Sequence, residues 1–115
     1  VNIQIDERRI FYMKTYPIMD KFKPTYDLSS FQHSKYTITT TALLSATQLG
    51  FTGTDIQEII LSMQKKHFYK SMTSKYNHSI WQDVYHVPWD DIILYIKFTA
   101  DDCISEFTLL SFKEQ

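Results

Sequence analysis

A chain of 115 residues with a net charge of −1 and a single cysteine, Cys103, is sized for one domain. That cysteine count excludes a disulfide-stapled secreted scaffold, and no apolar run approaches the roughly 20 residues that a membrane-spanning helix needs. A reducing compartment, with the cytoplasm as default, is therefore expected, and Cys103 reads as a small apolar packing residue.

Residues 1–22 read as an N-terminal extension. Their apolar residues follow no long period, Pro17 interrupts them, and Met13 and Met19 offer alternative starts after the unusual first residue Val1. The segment is expected to be flexible or loosely packed, leaving residues 23–115 as the domain. Thr25 or Asp27 can cap a short helix over Leu28–His33. Tyr36–Thr39 is a brief β-branched extended stretch. Thr40 or Thr41 then opens a helix that carries Ala42, Leu43, Leu44, Ala46 and Leu49 and stops at Gly50. In the next helix Thr54 and Gln57 fit a capping box, with Asp55 in the first turn. Ile56, Ile59, Ile60 and Met63 form its core-facing stripe at i, i+3, i+4 and i+7. Lys65 and Lys66 fall near its C-terminus, where the helix dipole favours cations.

After His67 the pattern changes to strands, predicted over Phe68–Ser74, Ile80–His86, Ile92–Thr99 and Glu106–Lys113. Tyr76-Asn77-His78, Val87-Pro88-Trp89-Asp90 and Ala100-Asp101-Asp102 are the turn signals between them. Short connections imply antiparallel neighbours. The fold class is α+β, with N-terminal helices on one face of a curved, mainly antiparallel sheet. Alternation places Leu94, Ile96 and Phe98 on the helix side, and Tyr95 and Lys97 on the other.

The chain is rich in aromatics, at 16%. Between Lys65 and His78 they alternate with Lys65, Lys66, Lys70 and Lys75 in a stretch without Asp or Glu. This is either a solvated basic face or a surface for a phosphate backbone with stacked bases, although the overall charge is slightly acidic. There is no Gly-rich phosphate loop, no HExxH and no paired-Cys spacing. The four histidines are scattered, and Asp90-Asp91 and Asp101-Asp102 read as solvated turns, so no metal and no cofactor are expected. Ser71, His78 and Asp83 carry little weight as a triad. The remaining chemistry is RNA transesterification without metal, which needs a proton acceptor, a proton donor and groups that bind the phosphorane oxygens. Lys70, Gln82, Tyr95 and Lys113 are suitable types. An unperturbed Lys or Tyr titrates near 10, so either needs a lowered pKa to act as a base at neutral pH.

The runs FYKSMT, HSIWQDVY, LYIKF and LLSFKEQ, with TTTALLSATQLGF and KPTYDLSSF before them, resemble the MqsR family of toxins from type II toxin–antitoxin systems. The resemblance covers residues 23–115. It implies a RelE-like fold, an endoribonuclease that cuts mRNA at preferred short sequences, and an MqsA-like antitoxin as partner. The family's functional lysine, glutamine, tyrosine and terminal lysine fall on Lys70, Gln82, Tyr95 and Lys113. Tyr69, Met72, Trp81, Tyr85 and His86 are the candidate RNA contacts; Met72, Trp81 and Tyr85 are equally compatible with packing. Where the family usually reads VYRP, this chain has Val84-Tyr85-His86-Val87-Pro88, and a neutral His86 would hold phosphate less firmly than arginine. The alternative reading is a non-catalytic RNA- or protein-binding regulatory module that keeps the toxin fold.

Overall fold

Each helix starts where a short polar side chain satisfies the first free amides. In the computed structural model, which describes residues 14–115, the elements are β1 (Asp20–Lys21), α1 (Leu28–Gln32), β2 (Thr37–Ile38), α2 (Thr40–Gln48), α3 (Gly53–Ser62), a 3-10 turn (Lys65–His67), β3 (Phe68–Ser74), β4 (Asn77–Trp89), β5 (Ile92–Ala100) and β6 (Phe107–Glu114). Asp27 caps α1 by accepting the Ser30 amide at 2.9 Å, and Thr39 caps α2 by accepting that of Ala42 at 3.1 Å. Gly50 follows α2 with φ +88°, which explains why a glycine ends it.

Two sequence expectations shift here. The capping box of α3 is Thr52 with Asp55, not Thr54 with Gln57: Thr52 Oγ1 accepts the Asp55 amide and Asp55 accepts the Thr52 amide. An aspartate at the third position closes the box as well as the expected glutamine. The helix also ends at Ser62, with Met63 already extended, so Lys65 and Lys66 belong to the 3-10 turn and do not cap the α3 dipole.

The six strands form one sheet in the order β1-β3-β4-β5-β6-β2. All neighbours are antiparallel except β2 with β6. β4 runs on through Val87-Pro88-Trp89, predicted as a turn, and reverses at Asp90, whose φ is +50°. Pro88 is exposed near the end of the strand, where a missing amide costs little. Bulges between Phe68 and Lys70 and between Lys97 and Phe98 add local bend and twist. β1 lies within the segment read as an extension. The Thr73 amide donates to the Met19 carbonyl at 2.8 Å, and the Met19 amide donates to Thr73 Oγ1 at 2.9 Å. Residues 1–13 of that segment lie outside the described residues.

The helices cover one sheet face. Phe31, Ile56, Ile59 and Ile60 meet Tyr85, Val87, Leu94, Ile96, Phe98, Leu109 and Phe112 there, all fully buried. Phe31 stacks on Phe98 with centroids 3.8 Å apart, and Tyr26 and Phe107 pack around the pair. At roughly 1.5–3 kcal/mol for each large apolar side chain buried, this layer is the main stabilising contribution. Below it Asp83, wholly buried, accepts the backbone amides of Thr25 (3.0 Å) and Tyr26 (2.9 Å) and ties the loop before α1 to β4. The α+β architecture is the one expected from the sequence.

Candidate functional site

Partners across a strand pair project to the same face. One row on the face away from the helices runs Lys70–Val84–Lys97–Ser111 across β3 to β6, and the next runs His86–Tyr95–Lys113. Met72 pairs with Gln82 on the far side of the first row. Lys70, Gln82, Tyr95 and Lys113 therefore share this open face.

Lys70 reaches it because of a bulge. Phe68 pairs with Tyr85 on the core side, and their rings meet edge-on at 5.5 Å. Strict alternation would return Lys70 to that side. The extra residue, Tyr69, lets both Tyr69 and Lys70 turn outward. Tyr69 then stacks on His86 at 4.1 Å, and His86 lies 6.0 Å from the Tyr95 ring. The Lys70 ammonium is 5.5 Å from the Tyr69 centroid, and that of Lys113 is 5.2 Å from the Tyr95 centroid. These are favourable cation–aromatic placements. Val84 is fully buried even on this open face, so the site has an apolar floor.

Burial raises the Tyr95 phenol above its usual 10.0; the Lys70 charge opposes this and Tyr69 adds to it. Tyr95 is thus a protonated donor at neutral pH. Burial holds His86 below its usual 6.5, which leaves it mostly uncharged there. Lys97 is held below its usual 10.5 by burial first and by the Lys113 charge second. Lys97 also lines an open depression of about 230 Å³ with Gln82, Met72, Ile18 and Tyr76. The sequence reading did not include Lys97 among the site residues, although alternation had already put it on the Tyr95 face.

Of the expected RNA contacts, Tyr69, Met72 and His86 stand on the open face, but Trp81 and Tyr85 do not. Trp81 pairs with Thr73 on the helix side, with the Lys21 ammonium 4.1 Å from its ring. Tyr85 is 1% exposed between Phe68 and Phe98. Its hydroxyl is pushed up to about 12 by burial, then by the charges of Asp83 and Asp27. Ser71 bonds to Thr25 and Asp83 to backbone amides, while His78 packs on Tyr16, so no triad forms. Cys103 is exposed in the β5–β6 loop, contrary to its reading as a packing residue, because the hairpin's apolar side ends before that loop. Among the described residues, no group of three His, Cys, Asp or Glu side chains could hold a metal ion, and no helix is long and apolar enough to cross a membrane.

A family described as motility quorum-sensing regulator, toxin of MqsA, matches residues 23–114. The mRNA interferase toxin MqsR of Escherichia coli (strain K12) is 38% identical over 77 residues, which span 67% of this chain and 76% of that protein.

Proposed function

Since the chain belongs to the MqsR toxin family, we propose that it is an endoribonuclease toxin that cleaves mRNA at preferred short sequences and arrests growth. The observation that carries this reading is the shared placement of Lys70, Gln82, Tyr95 and Lys113 on one open face. Residues 23–115 form the ribonuclease domain, and the cytoplasm, where mRNA is available, is where it acts.

In this mechanism the ribose 2′-OH attacks the adjacent phosphorus, giving a 2′,3′-cyclic phosphate and a 5′-hydroxyl. Lys70 and Lys113 bind the scissile phosphate and offset the charge that builds on the phosphorane. Tyr95, kept protonated by burial, donates to the leaving 5′-oxygen. Gln82 positions the 2′-OH or a base edge. Tyr69 and His86 form a stacked platform for a base beside the phosphate site. No step draws on a metal ion. An antitoxin of the MqsA type would neutralise the toxin.

The test is cleavage of an oligoribonucleotide by purified protein in excess EDTA, with end-group analysis of the products. Cleavage to cyclic-phosphate ends, reduced roughly 100-fold or more in Lys70→Ala and in Tyr95→Phe, is the expected result. Loss of activity on chelation would refute the metal-independent mechanism. Binding without cleavage would favour a regulatory module; the modest charge of the site, with Lys70 paired to Asp20, is the feature that favours this second reading.

A further inference from the structure

Lys97 occupies the centre of the open face. Along β5 it is two residues from Tyr95, across β6 it pairs with Ser111 beside Lys113, and across β4 it pairs with Val84, which pairs in turn with Lys70. It lines the same depression as Gln82. Lys70 has a carboxylate neighbour, Asp20, at 3.4 Å; among the described residues Lys97 has neither a salt bridge nor a side-chain hydrogen bond. A half-buried lysine beside the Lys113 charge, with no salt-bridge partner among the described residues, is costly to keep charged, and such groups concentrate at functional sites.

We propose that Lys97 is a catalytic residue of this site, the amine that takes the proton from the attacking 2′-OH. The inference rests on the ribonuclease reading above and supplies the base that reading lacks. Lys70 is already assigned to the scissile phosphate, and Gln82 does not titrate. Tyr95 is held in its protonated form and serves as the acid. His86 is the other titratable neighbour, but Tyr69 covers its ring and it does not line the depression that holds Gln82. Lys97 is held below its usual 10.5, which increases the fraction present as the neutral base. The groups on the same face as Lys97 are Asp20 from β1, Lys70 from β3, Gln82 and His86 from β4, Tyr95 from β5, and Ser111 and Lys113 from β6. Lys75 and Tyr76 lie at the rim of the depression. Of these, the Lys113 charge favours the neutral amine, and the Asp20 carboxylate is engaged by Lys70.

The step balances without another reactant. The lone pair on neutral Lys97 Nζ accepts the 2′-hydroxyl proton, and the 2′-oxygen forms its bond to phosphorus. The bond from phosphorus to the 5′-oxygen breaks, and the Tyr95 hydroxyl protonates that oxygen. Solvent water then removes the proton from the Lys97 ammonium and restores the one on Tyr95.

The experiment is single-turnover cleavage of an oligoribonucleotide from pH 6 to 10 by wild type, Lys97→Arg, Lys97→Met and His86→Phe, with thermal melts of each. Arginine keeps the charge but cannot deprotonate in this range. The expected result is a wild-type rate that rises tenfold per pH unit to a break below 10.5. Lys97→Arg and Lys97→Met should then be slower by roughly 100-fold or more with that break lost, while His86→Phe retains it. Primary amines such as methylamine should partly rescue folded Lys97→Ala. Lys97→Arg cleaving within about threefold of wild type, or loss of the break in His86→Phe alone, overturns the assignment. A wild type that does not cleave refutes the ribonuclease reading itself, a different failure from a wild type that cleaves and a Lys97→Arg variant that cleaves equally well.

Discussion

The Asp20 carboxylate lies 3.4 Å from the Lys70 ammonium, so β1 carries an anion to the lysine proposed to bind the scissile phosphate. The approach is set by the backbone: Asp20 pairs with Met72, and Met19 is tied to Thr73. Both side chains are partly exposed, so the pair is worth no more than about 1 kcal/mol, or about a fivefold change in an equilibrium.

Asp20→Asn should therefore tighten oligoribonucleotide binding by about two- to fivefold at low salt. The gain should shrink as salt screens the pair. Titration of a fluorescent RNA at two ionic strengths measures both effects. Equal affinities at low salt would show that Asp20 does not compete with phosphate.

Asp83 has a structural task although it adjoins Gln82. Its carboxylate accepts two backbone amides from the loop before α1, and the side chain is wholly buried. Removing it strands those donors, so Asp83→Ala should destabilise the fold by about 3 kcal/mol. Asp83→Asn, which keeps an acceptor but loses the charge, should cost less. Urea unfolding gives both values, and an Asp83→Ala variant within about 0.5 kcal/mol of wild type would contradict the assignment.

The ends of β3 and the α3 stripe were legible because their signals are local: a β-rich run and a clear 3.6-residue period. The outward turn of Tyr69 was not legible, since a bulge depends on how two strands are paired and not on the composition of one. Lys97 shows a related limit. Alternation predicted its face, but its half-burial comes from neighbours on other strands. The side that Trp81 and Tyr85 face was legible from alternation. In WQDVY, placing Gln82 and Val84 on the open face puts Trp81, Asp83 and Tyr85 on the other, as observed. The α3 cap was displaced because two overlapping threonine motifs competed, and the sequence does not rank them.

Tyr85→Phe tests that separation directly. The ring packs in the core and faces away from Lys70 and Tyr95, so removing its hydroxyl should leave cleavage unchanged and stability within about 0.5 kcal/mol. Tyr95→Phe, by contrast, loses the proposed proton donor without removing the ring over which Lys113 sits. The two variants compared in one cleavage assay distinguish a packing tyrosine from a reacting one; a large loss in Tyr85→Phe would mean that RNA reaches the core side.

His86 gives the site a dependence on acid that acts in two opposite directions. Burial lowers its pKa in the folded chain below the usual 6.5, so near pH 7 it stacks on Tyr69 uncharged. As the pH falls below 6.5, the unfolded chain takes up the proton first, and stability declines until the folded pKa is passed. Within the same window the fraction of cationic His86 grows beside the proposed phosphate site, and bound phosphate favours that charge, so RNA affinity should rise. His86→Phe keeps an aromatic partner for Tyr69 but removes the proton. Its RNA affinity should match that of wild type at pH 8 and fall behind it near pH 5.5, while it loses less stability between those values. Calorimetric melts and RNA titrations at both pH values measure the two effects separately. If wild type and His86→Phe gain affinity equally on acidification, the proton responsible resides on another group.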